Sequence, residues 1–241
     1  MRYLALACDY DGTLASQGQV SGETLAALER LVASGRKLIM VTGRELEGLF
    51  SVFAYCNLFD WIVAENGCVL YRPASRKKKW LADPPSAKLI KALHEKNIPI
   101  SIGEAIVSTW HPHEKIVLDT IRELGLELQV IFNKGAVMIL PTGSNKATGL
   151  AATLKRMKLS PRHVIGVGDA ENDHAFLNLC QCSVAVANAL PTLQEEVDFV
   201  TAGENGAGVR ALIDEIIATV LAGRNNRCIR RSLMVRTYGG T

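Results

Sequence analysis

Two acids, Asp9 and Asp11, stand one residue apart in ACDYDGTLAS, directly after an apolar run. Carboxylates held side by side repel one another and lose solvation, so a positive charge is expected close by. If the chain stays extended there, residues i and i+2 project to the same side, both carboxylates enter one pocket, and Tyr10 turns away. Gly12 then allows a sharp bend. An Asp-Gly turn would account for Asp11; it leaves Asp9 unexplained.

Other polar residues also sit just after apolar runs: Thr42 after KLIMV, and Asp169, Asn172 and Asp173 in HVIGVGDAEND. Acids are welcome at a helix N-terminus, which gives Asp169 and Asp173 an ordinary structural reading. GVGDAE loosely resembles a dinucleotide-binding turn, but an acid where the pyrophosphate would lie argues against it. With Asp9, these acids form a candidate all-oxygen site for Mg²⁺, a cation that takes a few carboxylates and keeps waters and a substrate phosphate. Lys146, in PTGSNKATG, stands at the first turn of a predicted helix, where a cation opposes the macrodipole. It makes sense there if an anion binds the same helix end. Thr42-Gly43-Arg44-Glu45 alone reads as a capping box, and Asn66-Gly67 alone as a hairpin turn. His111-Pro112-His113 reads as a solvated helix start, and Arg76-Lys77-Lys78-Lys79 as a wet hairpin tip.

The elements that must position these groups follow from periodicity. YLALAC, KLIMV and WIVA are continuous apolar strands, separated by helices over SGETLAALERLVASG and ELEGLFSVFAYC. Such strands belong to a parallel sheet covered on both faces, an α/β doubly wound fold. Ser21 caps the first helix and Gly35 ends it. The rhythm returns after residue 145, with a helix over 146–157, the strand HVIGV, a short helix near 172–180, CSVAV, a helix start at LPTLQEE, DFV and a last helix over 207–221. Between the halves, residues 66–82 read as a hairpin. A helix (86–97), a strand region (100–110), a helix (113–124) and the strands LELQVIF and AVMIL, joined at Asn133-Lys134-Gly135, follow. The expected organisation is a discontinuous core of 1–83 and 141–220, a small α+β insertion of 84–140, and a basic tail of 221–241, solvated or disordered.

At 241 residues the chain can bury a sizeable core, and 48% hydrophobic with 21% charged residues is ordinary for a soluble globular protein. No apolar stretch has the length of a membrane span, and the N-terminal apolar run is too short for a secretory signal, so a cytoplasmic location without a membrane partner is expected. The net charge of +3 is local: five arginines and no acid in 221–241 leave 22 basic and 24 acidic residues in 1–220. The body carries no basic face that would point to nucleic acid. The six scattered cysteines lack zinc spacing and read as reduced core residues.

Asp9-Tyr-Asp11-Gly-Thr, Val41-Thr42-Gly43-Arg44, Lys146 and Gly168-Asp169-Ala-Glu-Asn172-Asp173, in that order, resemble the four motifs of the haloacid dehalogenase (HAD) superfamily of phosphatases. The insertion between the second and third motifs looks like the short C2-type cap of the Cof-like branch, as in archaeal-type phosphoglycolate phosphatases and sucrose-phosphate phosphatases; Glu65-Asn66-Gly67 resembles that branch's segment before the cap. The resemblance implies a Mg²⁺-dependent phosphatase of a small phosphorylated metabolite, with a Rossmann-like HAD core. Asp9 is then the nucleophile, Asp11 the acid and base, and Thr42 and Lys146 the holders of the phosphoryl oxygens. It implies a metal held by Asp9, the Asp11 carbonyl and Asp169 with Asp173 in support, and phosphate or substrate contacts from Gly12, Gly43, Arg44, Asn66 and Asn172. Two alternatives stay open: transfer to an acceptor other than water, as in a phosphomutase, and a non-catalytic phospho-accepting regulatory domain. The leaving group and the oligomeric state have no signature in the sequence.

Overall fold

The computed structural model describes residues 3–221; the basic tail expected over 221–241 lies, beyond its first residue, outside them. The chain first runs through β1 (Ala5–Cys8), α1 (Gly22–Ala33), β2 (Lys37–Val41), α2 (Leu46–Val52), β3 (Trp61–Ala64), β4 (Val69–Arg72) and β5 (Lys77–Trp80). Then come α3 (Ala87–Glu95), β6 (Ser101–Ile102), β7 (Val107–Trp110), α4 (Glu114–Glu123), β8 (Leu128–Asn133) and β9 (Ala136–Pro141). The last part holds α5 (Lys146–Met157), β10 (Val164–Gly168), α6 (His174–Leu179), β11 (Cys182–Ala185), α7 (Pro191–Glu196), β12 (Phe199–Val200) and α8 (Asn205–Leu221).

Eight strands form one sheet in the order β12-β11-β10-β1-β2-β3-β4-β5, parallel from β12 to β3 and antiparallel beyond. Alternation along β1 divides the core into two layers. Leu6 and Cys8 pack with Leu28 and Leu31 of α1 and Leu212 and Ile213 of α8; Ala5 and Ala7 pack with Leu150 and Leu154 of α5 and Phe176 of α6. Both faces of the sheet are covered, as a doubly wound fold requires. Between β5 and α5 a second sheet, β6-β7-β9-β8, is antiparallel throughout and shares an apolar cluster with α3 and α4 through Leu89, Leu93, Val107, Val117, Val137 and Ile139. The architecture is a Rossmann-like core with an inserted α+β cap.

Two elements differ from the periodicity. α2 stops at Val52 because Phe53 is extended, with its ring against Tyr10 at 5.5 Å and Phe59 at 6.0 Å; only a short 3₁₀ turn, Cys56–Leu58, follows. Burying an aromatic outweighs continuing a helix that has no side-chain cap. The strand expected over 100–110 is two strands, β6 and β7, parted by the Gly103–Ile106 loop. α1 starts as its sequence implies, with the Ser21 hydroxyl accepting from the Thr24 N–H.

α5, which carries Lys146 as its first residue, is pressed onto the turn after β3. A Cβ at Gly149 would lie 2.5 Å from Gly67 Cα and 2.5 Å from Val63 Cγ1. Gly149→Val is expected to destabilise the fold by about 1–3 kcal/mol, measured by urea unfolding, because the crowding atoms are backbone and a packed strand side chain.

Candidate active site

The loops after β1, β2, β3 and β10 meet at the carboxyl ends of their strands, where open α/β sheets bind ligands. Asp9 follows β1 and is 4% exposed; Asp169 follows β10 and is fully buried, as is Asp173. Oxygens of these three carboxylates lie within 4.8 Å of one another. Lys146, 1% exposed, enters from α5 and donates to Asp9 Oδ1 and Asp173 Oδ1, both at 2.6 Å, and to Asn172 Oδ1 at 3.2 Å. α5 begins on a capping box between Asn145 and Thr148, so its N-terminal donors are met by neutral groups and the buried ammonium is left to the acids.

Burial would push the Lys146 ammonium down, but attraction to Asp173 and Asp9 outweighs it and holds it above the ordinary lysine value. Burial pushes Asp9 well above the carboxylate range; Lys146 opposes that shift, and Asp173 and Asp169 add to it. Asp169 is raised for the same first reason and then by Asp173, against hydrogen bonds from Lys134 and Thr13. The Thr13 hydroxyl donates to Asp169 Oδ1 at 2.7 Å. Three buried acids held by one buried and one half-exposed ammonium remain short of positive charge. Their oxygen-only donors fit a divalent cation. Asp9 and Asp169 offer it free lone pairs. Asp173 is more committed, because its Oδ2 accepts the N–H groups of Asp169 and Ala170 at 2.8 and 3.0 Å while Oδ1 holds Lys146.

Asp11 stands outside that group. The chain leaves the extended form after Cys8, and the Asp11 carboxylate accepts a two-pronged pair from Arg44, Nε–Oδ2 2.6 Å and Nη2–Oδ1 2.7 Å. Its side chain keeps 39% of its exposure. Tyr10 points the other way, its hydroxyl donating to the Gly18 carbonyl. Thr42 is fully buried and accepts the Arg44 N–H at 3.1 Å; the N-cap of α2 is Glu45, so the capping box that Thr42 suggested does not form. Gly12 is left-handed at φ +84°, and a side chain there would collide with Asp169 and Lys134. Gly43 leaves room for Asn66 and Asn172, whose atoms would be 3.3–3.5 Å from a Cβ. Asn172 Nδ2 donates to Asn66 Oδ1 at 2.9 Å, which continues the polar line from Lys146 to the turn after β3.

Two residues of this region have no role assigned from the sequence. Lys134, at the β8–β9 hairpin tip, pairs with Asp169. Glu65, fully buried after β3, accepts the N–H groups of Glu104, Ala105 and Ile106 at 3.0, 2.8 and 3.2 Å, so one carboxylate ties the core to the cap loop. The signal for Glu65 is the one that marks Asp9, an acid directly after an apolar strand. Lys134 has no such signal. The histidine pair resolves plainly: His111 bonds Glu114 at 2.9 Å and stacks on Phe132. The five described cysteines are buried and none is in a disulfide, and no helix among the described residues is long and apolar enough to cross a membrane.

Fold and site together define a hydrolase core with strand-end acids beneath a cap. The chain belongs to the haloacid dehalogenase-like hydrolases, whose family model matches residues 6–105 and 106–213. It is 29% identical over 220 residues to phosphoglycolate phosphatase 2 of Saccharolobus solfataricus, covering 89% of this chain and 93% of that one. It is 31% identical over 212 residues to the phosphoglycolate phosphatase of Methanothermobacter thermautotrophicus, covering 85% and 95%. Among solved structures, a haloacid dehalogenase-like hydrolase from Bacteroides thetaiotaomicron superposes with a TM-score of 0.77 at 20% identity, over 89% of this chain and 99% of that one. A sugar phosphatase of HAD subclass IIB does so with a TM-score of 0.69 at 20% identity, over 91% and 98%. The protein is therefore an enzyme of the HAD hydrolase and phosphatase class, with an acid group able to hold a divalent metal.

Glu65→Gln is expected to cost about 1–3 kcal/mol at neutral pH, since an amide cannot accept all three N–H groups. Burial raises the Glu65 pKa. Its contribution is therefore fullest below the ordinary carboxylate range and declines as pH rises through the folded value. The gap between the two proteins should widen on acidification, followed by denaturant unfolding at several pH values.

Proposed function

We propose that the chain is a Mg²⁺-dependent phosphatase that hydrolyses a small phosphorylated metabolite, of the phosphoglycolate or sugar phosphate class, through an aspartyl-phosphate on Asp9. The observation that carries this reading is the buried Lys146 bridge between Asp9 and Asp173, with Asp169 beside it. The names of the relatives support the phosphoglycolate class, and the match of nearly their full length supports a shared reaction. In this reading 1–83 and 141–220 form the catalytic core and 84–140 the cap.

Asp9 attacks phosphorus with its free oxygen while Lys146 holds the other, which fixes the carboxylate's direction. The attack splits hydrolysis into formation and breakdown of an acyl phosphate. Asp11 delivers a proton to the leaving oxygen, then takes one from the incoming water; Arg44 holds its carboxylate at the mouth of the site until substrate arrives. Lys146 and the Thr42 hydroxyl meet the phosphoryl oxygens, where negative charge must be balanced in a loose transition state. Asn172 accepts from Lys146 and is itself held by Asn66. Gly12 and Gly43 let the backbone come close to the phosphoryl group, and Arg44 is the remaining cation for it. Asp9, the Asp11 carbonyl and Asp169, with Asp173 in support, would hold Mg²⁺, which would supply charge neutralisation at the transferring group. The cap excludes bulk water from the site while substrate is bound.

Phosphate release from p-nitrophenyl phosphate should require Mg²⁺ and stop with EDTA. Asp9→Asn should lower it on the order of a thousandfold or more; full turnover by that variant would sink the nucleophile assignment. Asp11→Asn should turn over slowly and gain the mass of one phosphoryl group on mixing with substrate, read by intact-mass spectrometry.

A further inference from the structure

We propose that Lys134, at the tip of the cap hairpin, is the specificity residue that reads a second negative charge on the substrate, a carboxylate next to the phosphate ester. The inference rests on the phosphatase reading above and names the leaving-group chemistry that reading leaves open.

Lys134 and Gly135 are the two loop residues between the paired Asn133 and Ala136, with φ +47° and +91°. Positive φ at both positions is the hairpin turn that prefers Asn-Gly. A lysine there costs about 1 kcal/mol in backbone strain, so the position is a poor one for a side chain kept only for solubility. From the turn the side chain reaches across to the core. Its ammonium pairs with Asp169 Oδ2, a carboxylate with no exposure of its own, while the Lys134 side chain keeps 44%. The pair therefore opens onto the cleft from the lysine's side. Gly12 lies under the approach, and any side chain there would strike both the ammonium and the Asp169 carboxylate. β8 rests on the Glu171–Asp173 turn, so the hairpin is seated against the acid-bearing loop.

A divalent cation on Asp169 would compete with the Lys134 ammonium for that carboxylate. Once Asp169 is committed to the metal, like charges repel and Lys134 needs another anion. The other two cations of the site, Lys146 on Asp9 and Asp173 and Arg44 on Asp11, are the ones assigned above to the phosphoryl group. Lys134 alone of the three comes from the cap, opposite the loops that carry the acids. A short acid esterified to phosphate offers it a carboxylate close to the phosphoryl group. A neutral leaving group of the same length offers the Lys134 ammonium no partner, so the site favours the ester that carries the second charge.

The test compares 2-phosphoglycolate with ethyl phosphate, which carries a methyl in place of the carboxylate, using the full chain with Mg²⁺. Lys134→Met should lower kcat/KM for 2-phosphoglycolate about tenfold or more and move ethyl phosphate by less than about twofold. Lys134→Arg should restore most of the preference. Parallel losses on both esters, as expected if Lys134 merely steadied Asp169, would overturn the proposal, and so would no change on either. Isothermal titration of both esters into the Asp9→Asn protein separates this failure from failure of the phosphatase reading. Binding that prefers 2-phosphoglycolate and weakens with Lys134→Met, in a protein whose wild type releases no phosphate, sinks the phosphatase reading and leaves the carboxylate contact standing. Binding without that preference overturns the contact itself.

Discussion

A single ammonium, buried between two carboxylates, sets the terms for the rest of this molecule. Lys146 brings together the ends of three segments far apart in sequence: the loop after β1, the N-terminus of α5 and the loop after β10. Removing one member of such a group leaves charge stranded away from water, which is far more costly than never burying it. The surrounding structure is arranged to keep the group intact. The Asn145–Thr148 capping box closes the helix end without using the lysine, Asn172 takes its remaining donor and is itself bonded to Asn66, and Gly149 lets the helix sit close enough to reach.

The excess of negative charge is functional in sign as well as size. Lys146 cannot balance Asp9, Asp169 and Asp173 together, and burial raises the affinity of Asp9 and Asp169 for protons. A site in that state favours any cation that fits, and a divalent one with oxygen ligands fits best.

Much of this was legible in the residues alone, for a physical reason. Strands of a parallel sheet are covered on both faces, so they read as unbroken apolar runs, and polar residues that follow them fall at the ligand-binding edge. Asp9, Thr42, Asp169 and Asp173 were visible that way. α2 ended early because Phe53 gained more from the aromatic cluster with Tyr10 and Phe59 than from another turn, a tertiary preference with no local signature. The Asp11–Arg44 pair joins segments more than thirty residues apart, and Lys134–Asp169 joins two domains. A lysine beside a glycine in a hairpin reads as a wet turn until the neighbour beneath it is known. Residues whose partners lie across the cap–core boundary carry no local pattern, because nothing near them in sequence responds to that partner.

Glu65 adds a different kind of consequence. It grips the cap through three successive main-chain N–H groups, and main-chain donors are the same for every residue except proline. The joint thus recognises the path of the loop and ignores its lettering. Side chains of the cap can be exchanged without loosening the mount that holds it over the acids. Such a cap behaves as an interchangeable tool head: the fitting is standard, and what it carries is free to vary.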